Sequence, residues 1–512
     1  MNGRFLKNAR IYFREYCNHT SFHGFQYLGE KGRTIFERIW WFVVFSICLG
    51  GCITSIYFIY KKWEQSPVIV NFANRETPIY EIPFPAVTVC PESKSATDKF
   101  NFTKIMQKKE DGVPLTPLEE TQFEYMSLIC NYYPELNYTN NETFSKDFFE
   151  FLDEVKPKFR LENCSVLNVD EICRWVFTPI ITEVGICYTF NMLDRSNIYK
   201  EDVVHFKNYL TAGLENSQWT LQHGYDKDVG IIAHPLRAYL AGVKNGLQFN
   251  IETPRQDLDY ACGDSLQGYR VMLHTPMTIP RPSQSYFKIP LDQAVVGGIQ
   301  PVMITTSDMI KSYNPHKRKC YFAEERKLRY FKVYSSSNCK LECLTNYTLE
   351  FCKCVNFFMP RENGTQICGT KNIDCMKTAE RAMYLVNLGS KLGDVEPDNC
   401  DCLPVCADLT YKVELSQSNW DWNKLLHARR HLPRIGNRSH LSSLTLFFKS
   451  DHFISSERNE LYGPMDFIAN FGGILGLFTG FSVLSLMEIF YFLSVRIICN
   501  LRLHGQWAGT DN

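Results

Sequence analysis

The chain has 512 residues and a mass of 59.5 kDa, and its 55 Lys and Arg balance 55 Asp and Glu. That neutrality excludes the basic surplus of a nucleic-acid binder, and 45% hydrophobic with 21% charged residues excludes disorder on a large scale. A mean hydropathy of −0.22 excludes a many-span transporter, so membrane spans must be few.

Residues 1–38 form a basic tail carrying Arg4, Lys7, Arg10, Arg14, Lys31, Arg33 and Arg38. Residues 39–60 follow without a charge, between Arg38 and Lys61-Lys62. At ~1.5 Å per residue such a run crosses a hydrocarbon core of ~30 Å, so a transmembrane helix is predicted. The run begins late and has no small-residue cleavage site, which argues against a signal sequence. Only two basic residues follow it closely, so the positive-inside rule places the N-terminus in the cytoplasm.

Residues 61–466 hold Cys90, Cys130, Cys164, Cys173, Cys187, Cys262, Cys320, Cys339, Cys343, Cys352, Cys354, Cys368, Cys375, Cys400, Cys402 and Cys406. The number is even, as full pairing requires, and it points to an oxidising compartment. Sequons start at Asn101, Asn137, Asn141, Asn163, Asn346, Asn363 and Asn437, all between the two apolar runs, and mark expected glycosylation sites. An eighth, at Asn18, would stay unused in the cytoplasm. Residues 118–126 and 144–155 read as helices, and 268–274 as a strand. The expected fold class is a membrane protein in which two transmembrane helices flank a large, disulfide-rich extracellular domain of mixed α and β structure.

Residues 467–495 form the second apolar run, with the single charge Glu488. One unbroken helix over it would be roughly 43 Å long, so the segment tilts, extends beyond the membrane, or breaks in the middle. Two spans return residues 496–512 to the cytoplasm. Gly472, Gly476 and Gly480 make a small-residue stripe suited to close helix approach, and Gly473 lies beside it. Asn470, Thr479, Ser482, Ser485 and Glu488 crowd the same stretch with polar groups. Gly480 and Ser482 are two residues apart, so one helix cannot turn both towards one axis. A short extended piece at Gly480-Phe481-Ser482 does so, and frees carbonyls to replace an ion's hydration shell. Glu488 has two readings, a pore carboxylate that concentrates cations or an interfacial residue that snorkels out. Two helices per chain cannot enclose a water-filled path, so the channel reading demands oligomers around a symmetry axis.

Zinc-protease, nucleophile-elbow and phosphate-loop motifs are absent, and the one-residue spacing of Cys352/Cys354 and Cys400/Cys402 is atypical of zinc. Neither an enzyme nor a metal site is expected.

With these residues in view, the chain resembles the degenerin/epithelial sodium channel superfamily, and most closely its insect pickpocket branch. The resembling motifs are residues 20–24, with His23 and Gly24 as the gating pair, residues 84–90, residues 185–191, the cysteine-rich 320–354 and 400–406, and the Gly-x-Ser of 480–482. The resemblance implies a homo- or hetero-trimer with related subunits in the plasma membrane, embedded in lipid, selective for sodium and blocked by amiloride. It implies no cofactor beyond the permeant sodium ion. Gly480, Phe481 and Ser482 would form the selectivity filter. Ala469 would be the position where bulky side chains hold such channels open, with Asn470, Gly472 and Gly473 beside it. It also implies the bridges Cys90–Cys187, Cys164–Cys173, Cys320–Cys406, Cys339–Cys402, Cys343–Cys400, Cys352–Cys375 and Cys354–Cys368, which leaves Cys130 and Cys262 for each other. The tail after Arg496 lacks the Pro-Tyr motif of epithelial subunits, and the acidic cluster of proton-sensing relatives is not matched. Cys17 and Cys499 are candidate lipidation sites. The gating stimulus stays open, extracellular or mechanical. The competing classes are a non-conducting two-span receptor for lipid or another ligand and an ATP-gated channel, the latter discounted by the missing lysine-rich pattern.

Overall fold

The computed structural model describes residues 2–65, 68–131, 142–170, 176–211, 213, 219–226, 228–230, 233–263, 266–392, 400–428, 438–461 and 463–508. They fall into two units, one of residues 1–70, 308–313 and 458–512, the other of residues 71–307 and 314–457.

The larger unit is built on strands β1 (Val68–Pro78), β2 (Ala86–Pro91), β3 (Thr143–Phe144), β4 (Arg160–Val166), β5 (Val169–Asp170), β6 (Thr178–Thr182), β7 (Gly185–Phe190), β8 (Leu247–Pro254), β9 (Tyr269–His274), β10 (Phe287–Ile289), β11 (Gln293–Thr306), β12 (Ile367–Cys368), β13 (Asp408–Asn419), β14 (Ser439–Phe448) and β15 (His452–Glu460). An eight-stranded sheet runs β1-β15-β11-β14-β8-β4-β5, with β13 also paired to β11. β11 meets β13 antiparallel from Gln293 opposite Asn419 to Ile304 opposite Asp408, and meets β14 in parallel. A five-stranded sheet runs β10-β9-β2-β7-β6, and β3 pairs with β12. Phe84, Val87, Phe249, Val271, Ile289, Ile299 and Leu444 form one core from both large sheets. Alternation along the strands supplies it: Leu444, Leu446 and Phe448 of β14 are buried on one face.

Among the described residues the helices are α1 (Asn2–His19), α2 (Gln26–Gly29), α3 (Ile35–Gln65), α4 (Phe102–Glu110), α5 (Pro117–Cys130), α6 (Asp147–Val155), α7 (Ser336–Cys352), α8 (Ile373–Leu392), α9 (Pro464–Thr479), α10 (Val483–Phe490) and α11 (Arg496–His504), besides Trp422–Ala428 and shorter turns. Thr116-Pro-Leu-Glu119 starts α5 as a capping box: the Thr116 hydroxyl accepts from the Glu119 N–H, and the Glu119 carboxylate from the Thr116 N–H. Lys108 and these hydrogen bonds hold the Glu119 carboxyl down at about 2. The predicted helix over 144–155 is shorter than expected, because residues 143–144 pair with β12 and α6 begins at Asp147.

Seven bridges join described residues. Cys90–Cys187 crosses between β2 and β7, and Cys130–Cys262 ties the end of α5 to the segment before β9. The other five are Cys320–Cys406, Cys339–Cys402, Cys343–Cys400, Cys352–Cys375 and Cys354–Cys368. Cys339 and Cys343 lie one turn apart on α7 and so project from one face towards Cys402 and Cys400, which run the other way. Cys164 is also bridged, while Cys173 lies outside the described residues.

Asn101 caps α4, its side chain accepting from the Lys104 N–H. Asn163, Asn346 and Asn363 are exposed, while Asn137, Asn141 and Asn437 lie outside the described residues. Among the described residues no group of three or more His, Cys, Asp and Glu is placed to hold a metal ion.

In the smaller unit, two helical stretches are long and apolar enough to cross a membrane, residues 35–64 and 483–504. The first includes the predicted 39–60. The second overlaps the predicted 467–495 from Val483 onward, and helix continues over residues 496–504. Gly480 divides the predicted run, and a turn of π-helix at Tyr491–Val495 then joins α10 to α11 without interruption. Gly505, at φ +66°, ends α11.

Candidate functional site: the broken second span

Pro464 opens α9 at a position where its missing N–H has no consequence, and the Asp466 carboxylate accepts from the Gly463 N–H. Two aromatic residues of the helix, Phe467 and Phe478, face α3. Phe467 lies 5.7 Å from Trp63 between ring centroids, and the Phe478 ring would come within 3.1 Å of a Cβ placed on Gly51. At about 100° per residue, Ala469, Gly473, Gly476 and Gly480 fall within about 60° of one another, roughly 160° round from Phe467 and Phe478. The small-residue face therefore points away from α3. A methyl group added at Gly472 or Gly473 would meet no atom within 4 Å. Among the described residues, Gly472, and Gly473 beside the stripe, thus have nothing of their own chain packed on them. Ala469 and Asn470 are exposed, and the Asn470 amide donates to the Asp466 carbonyl.

α9 stops at Gly480. Its N–H closes on the Gly476 carbonyl while its φ of +72° turns the chain left-handed, a conformation that penalises any residue with a Cβ. Phe481 follows, and Ser482 is extended at φ −129° and ψ 171°. Ser482 then caps α10, its hydroxyl accepting from the Ser485 N–H at 3.2 Å, while the Ser485 hydroxyl accepts from the Ser482 N–H at 3.0 Å. The sequence Ser-x-x-Ser thus restarts the helix two residues after glycine has ended it.

Residues 20–25 occupy the break. The His23 N–H donates to the Thr479 carbonyl at 3.1 Å, and the His23 ring lies where a Cβ on Gly480 would be, 2.9 Å from its Cγ and Cδ2. Gly24, at φ +83°, turns the chain beside Trp41 of α3. Phe22 lies 5.5 Å from Phe481, and Phe25 stands edge-on to Phe45 of α3 at 4.9 Å. Ser21 donates from both its N–H and its hydroxyl to the Glu488 carboxylate, each at 3.0 Å, and its hydroxyl is 2.7 Å from that of Ser485. The Glu488 carboxylate is thus held by the turn that follows α1. His23, Gly24, Gly480, Phe481, Ser482 and Glu488 thus converge, while Ala469, Asn470, Gly472 and Gly473 stand apart, two to three turns earlier on α9.

The sequence marked Thr479 and Ser485 as polar groups of the second apolar run, and Ser21 and Phe22 as part of the motif at 20–24, but gave none of the four a partner. Cys17 corrects a further expectation. It is fully buried under Gly29, where an added Cβ would come within 2.5 Å of the Cys17 Cβ, and burial pushes its thiol up to about 11. A thiol so enclosed is not open to acylation in this fold. Cys499 is half-buried.

A family model described as amiloride-sensitive sodium channel matches residues 16–492. Pickpocket protein 28 of Drosophila melanogaster is 28% identical over 516 residues, covering 98% of this chain and 80% of the relative. Pickpocket protein 19 of the same fly is 23% identical over 528 residues, covering 96% and 93%. Acid-sensing ion channel 1C of Danio rerio is 24% identical over 517 residues, covering 93% and 82%. The match runs through α3, the bridged domain and the broken span together, so this two-span membrane protein belongs to the amiloride-sensitive sodium channel family, on its insect pickpocket side, as an ion-channel subunit and not an enzyme.

Proposed function

We propose that the chain is one subunit of a trimeric, sodium-selective, amiloride-blocked channel of the plasma membrane, with both termini cytoplasmic and with Gly480, Phe481 and Ser482 as its constriction. The observation that carries this reading is the break itself. An extended residue between two helix halves frees backbone carbonyls, which the membrane interior tolerates only where they line a cavity. The glycine face turned away from α3 supports assembly, since a path for water needs further copies around an axis. A non-conducting receptor has no use for such a break, and that reading is not favoured.

The experiment is expression in oocytes, alone and with a pickpocket-type relative, with surface protein measured in parallel. The expected result is an inward sodium current that amiloride blocks. Surface protein that passes no sodium in any combination, under force or extracellular stimuli, would overturn the proposal.

A further inference from the structure

We infer that Tyr12 and Glu15 of α1 are positioning residues that hold the second span in one of two registers below its break. What this means for conduction rests on the channel reading; its structural content does not.

The π turn at Tyr491–Val495 is the element with two states. The Arg496 N–H donates to the Tyr491 carbonyl, five residues back. In an α-helix the same N–H would serve Phe492, four residues back. The diversion takes from the Phe492 carbonyl its ordinary donor, and the Tyr12 hydroxyl donates to that carbonyl instead. Converting the π turn to α-helix removes one residue from it. Everything beyond then rotates by about 100° and shifts by ~1.5 Å relative to α10. Two discrete registers follow, and Tyr12 has its acceptor in only one of them.

The remaining contacts of α1 lie at the same turn. The Tyr16 ring stands edge-on to Phe492 at 5.3 Å and the Tyr12 ring at 6.1 Å. Glu15 accepts from the Arg496 Nε at 2.8 Å, at the exit of the turn. Tyr12, Glu15 and Tyr16 are spaced i, i+3 and i+4, which places them on one face of α1. α1 is itself anchored by Cys17 against Gly29 and, just beyond its end, by Ser21 on Glu488. The grip on the turn is therefore a fixed part of the fold. It determines which side chains of residues 493–504 face outward, where Leu493, Ile498, Leu501 and Leu503 are exposed in one chain.

The test uses the full-length protein in lipid nanodiscs, with the four free cysteines replaced. Single cysteine substitutions from Leu493→Cys to Leu503→Cys are labelled with a water-soluble maleimide. Tyr12→Phe keeps the ring and removes only the hydroxyl. It should raise the population labelled in a pattern displaced by one residue about fivefold, the worth of one hydrogen bond. Glu15→Gln should act in the same direction, and pairing Glu15→Arg with Arg496→Glu should restore the original pattern. A labelling pattern unchanged in folded Tyr12→Phe protein would overturn the inference, as would a displacement that the charge-reversed pair leaves in place. Labelling is read without current, so a silent channel with a displaced pattern counts against the channel reading alone.

Discussion

Substituting Gly480 by alanine tests the break and the turn that fills it together. Two penalties arise. A residue with a Cβ at φ +72° costs about 1 kcal/mol relative to glycine. The new methyl group would also sit 2.9–3.0 Å from the His23 ring, closer than carbon atoms settle. The ring cannot simply withdraw, because its own backbone N–H is held by the Thr479 carbonyl. Displacing it adds a further ~1 kcal/mol, by analogy with overpacking in a filled site. The sum of about 2 kcal/mol shifts the balance between seated and displaced turn by roughly thirtyfold. Amide hydrogen exchange across residues 20–25 in nanodiscs reads that balance directly. His23→Ala added to Gly480→Ala should recover the steric half, about fivefold, and leave the backbone half. Exchange that stays at the unsubstituted level in Gly480→Ala refutes the reasoning. So does a double variant whose effects add within ~0.3 kcal/mol, since groups in contact should couple.

Ser482→Ala removes the cap of α10, worth about 1 kcal/mol, and should change the sodium-to-potassium permeability ratio; an unaltered ratio would move the constriction elsewhere. Ala469→Val should raise resting current, and no change across a series of side-chain sizes would count against that position as a gate. Replacing Cys130 and Cys262 together by serine should lower stability by about 2–5 kcal/mol, read as an earlier thermal transition, with no change expected in the other bridges. Acid stability should fall through Asp153. Burial pushes its carboxyl up, but Lys156 at 2.5 Å, Lys207 at 2.8 Å and Tyr209 at 2.8 Å more than offset this and hold it down at about 2. The folded value lies below the unfolded value of ~3.9, so its contribution is complete above about pH 4 and is lost as the pH falls towards 2. Asp153→Asn should flatten the melting temperature across that window, and an unchanged acid limb would remove Asp153 from the account.

Some of this was legible in the sequence for physical reasons. A charge-free run has one stable home, so residues 39–60 marked a span, and Gly480 beside Ser482 signalled a place where one helix could not serve both. Boundaries were less legible. Hydropathy falls at Arg496, yet the helix continues to His504 because the backbone there still closes its own hydrogen bonds and Glu15 meets the arginine. The convergence of Ser21 on Glu488 was not readable at all. Polar residues far apart in sequence carry no mark of their partner, and periodicity reports the face of a helix but not what covers it. The helix at residues 2–19 was missed for a related reason: its aromatic residues Phe5, Tyr12 and Tyr16 share a face, but the seven basic residues marked the stretch only as a tail.

The grip of Ser21 on Glu488 spans 467 positions of sequence. The serine is made long before the glutamate, and every cysteine of the described bridges lies in the stretch between them. The membrane portion is consequently completed last, and Ser21, Phe22 and His23 wait for Glu488, Phe481 and Thr479 while the rest is made. A premature stop between Cys406 and Pro464 would leave every described bridge able to form and yet yield a chain in which Ser21 has no Glu488 to meet.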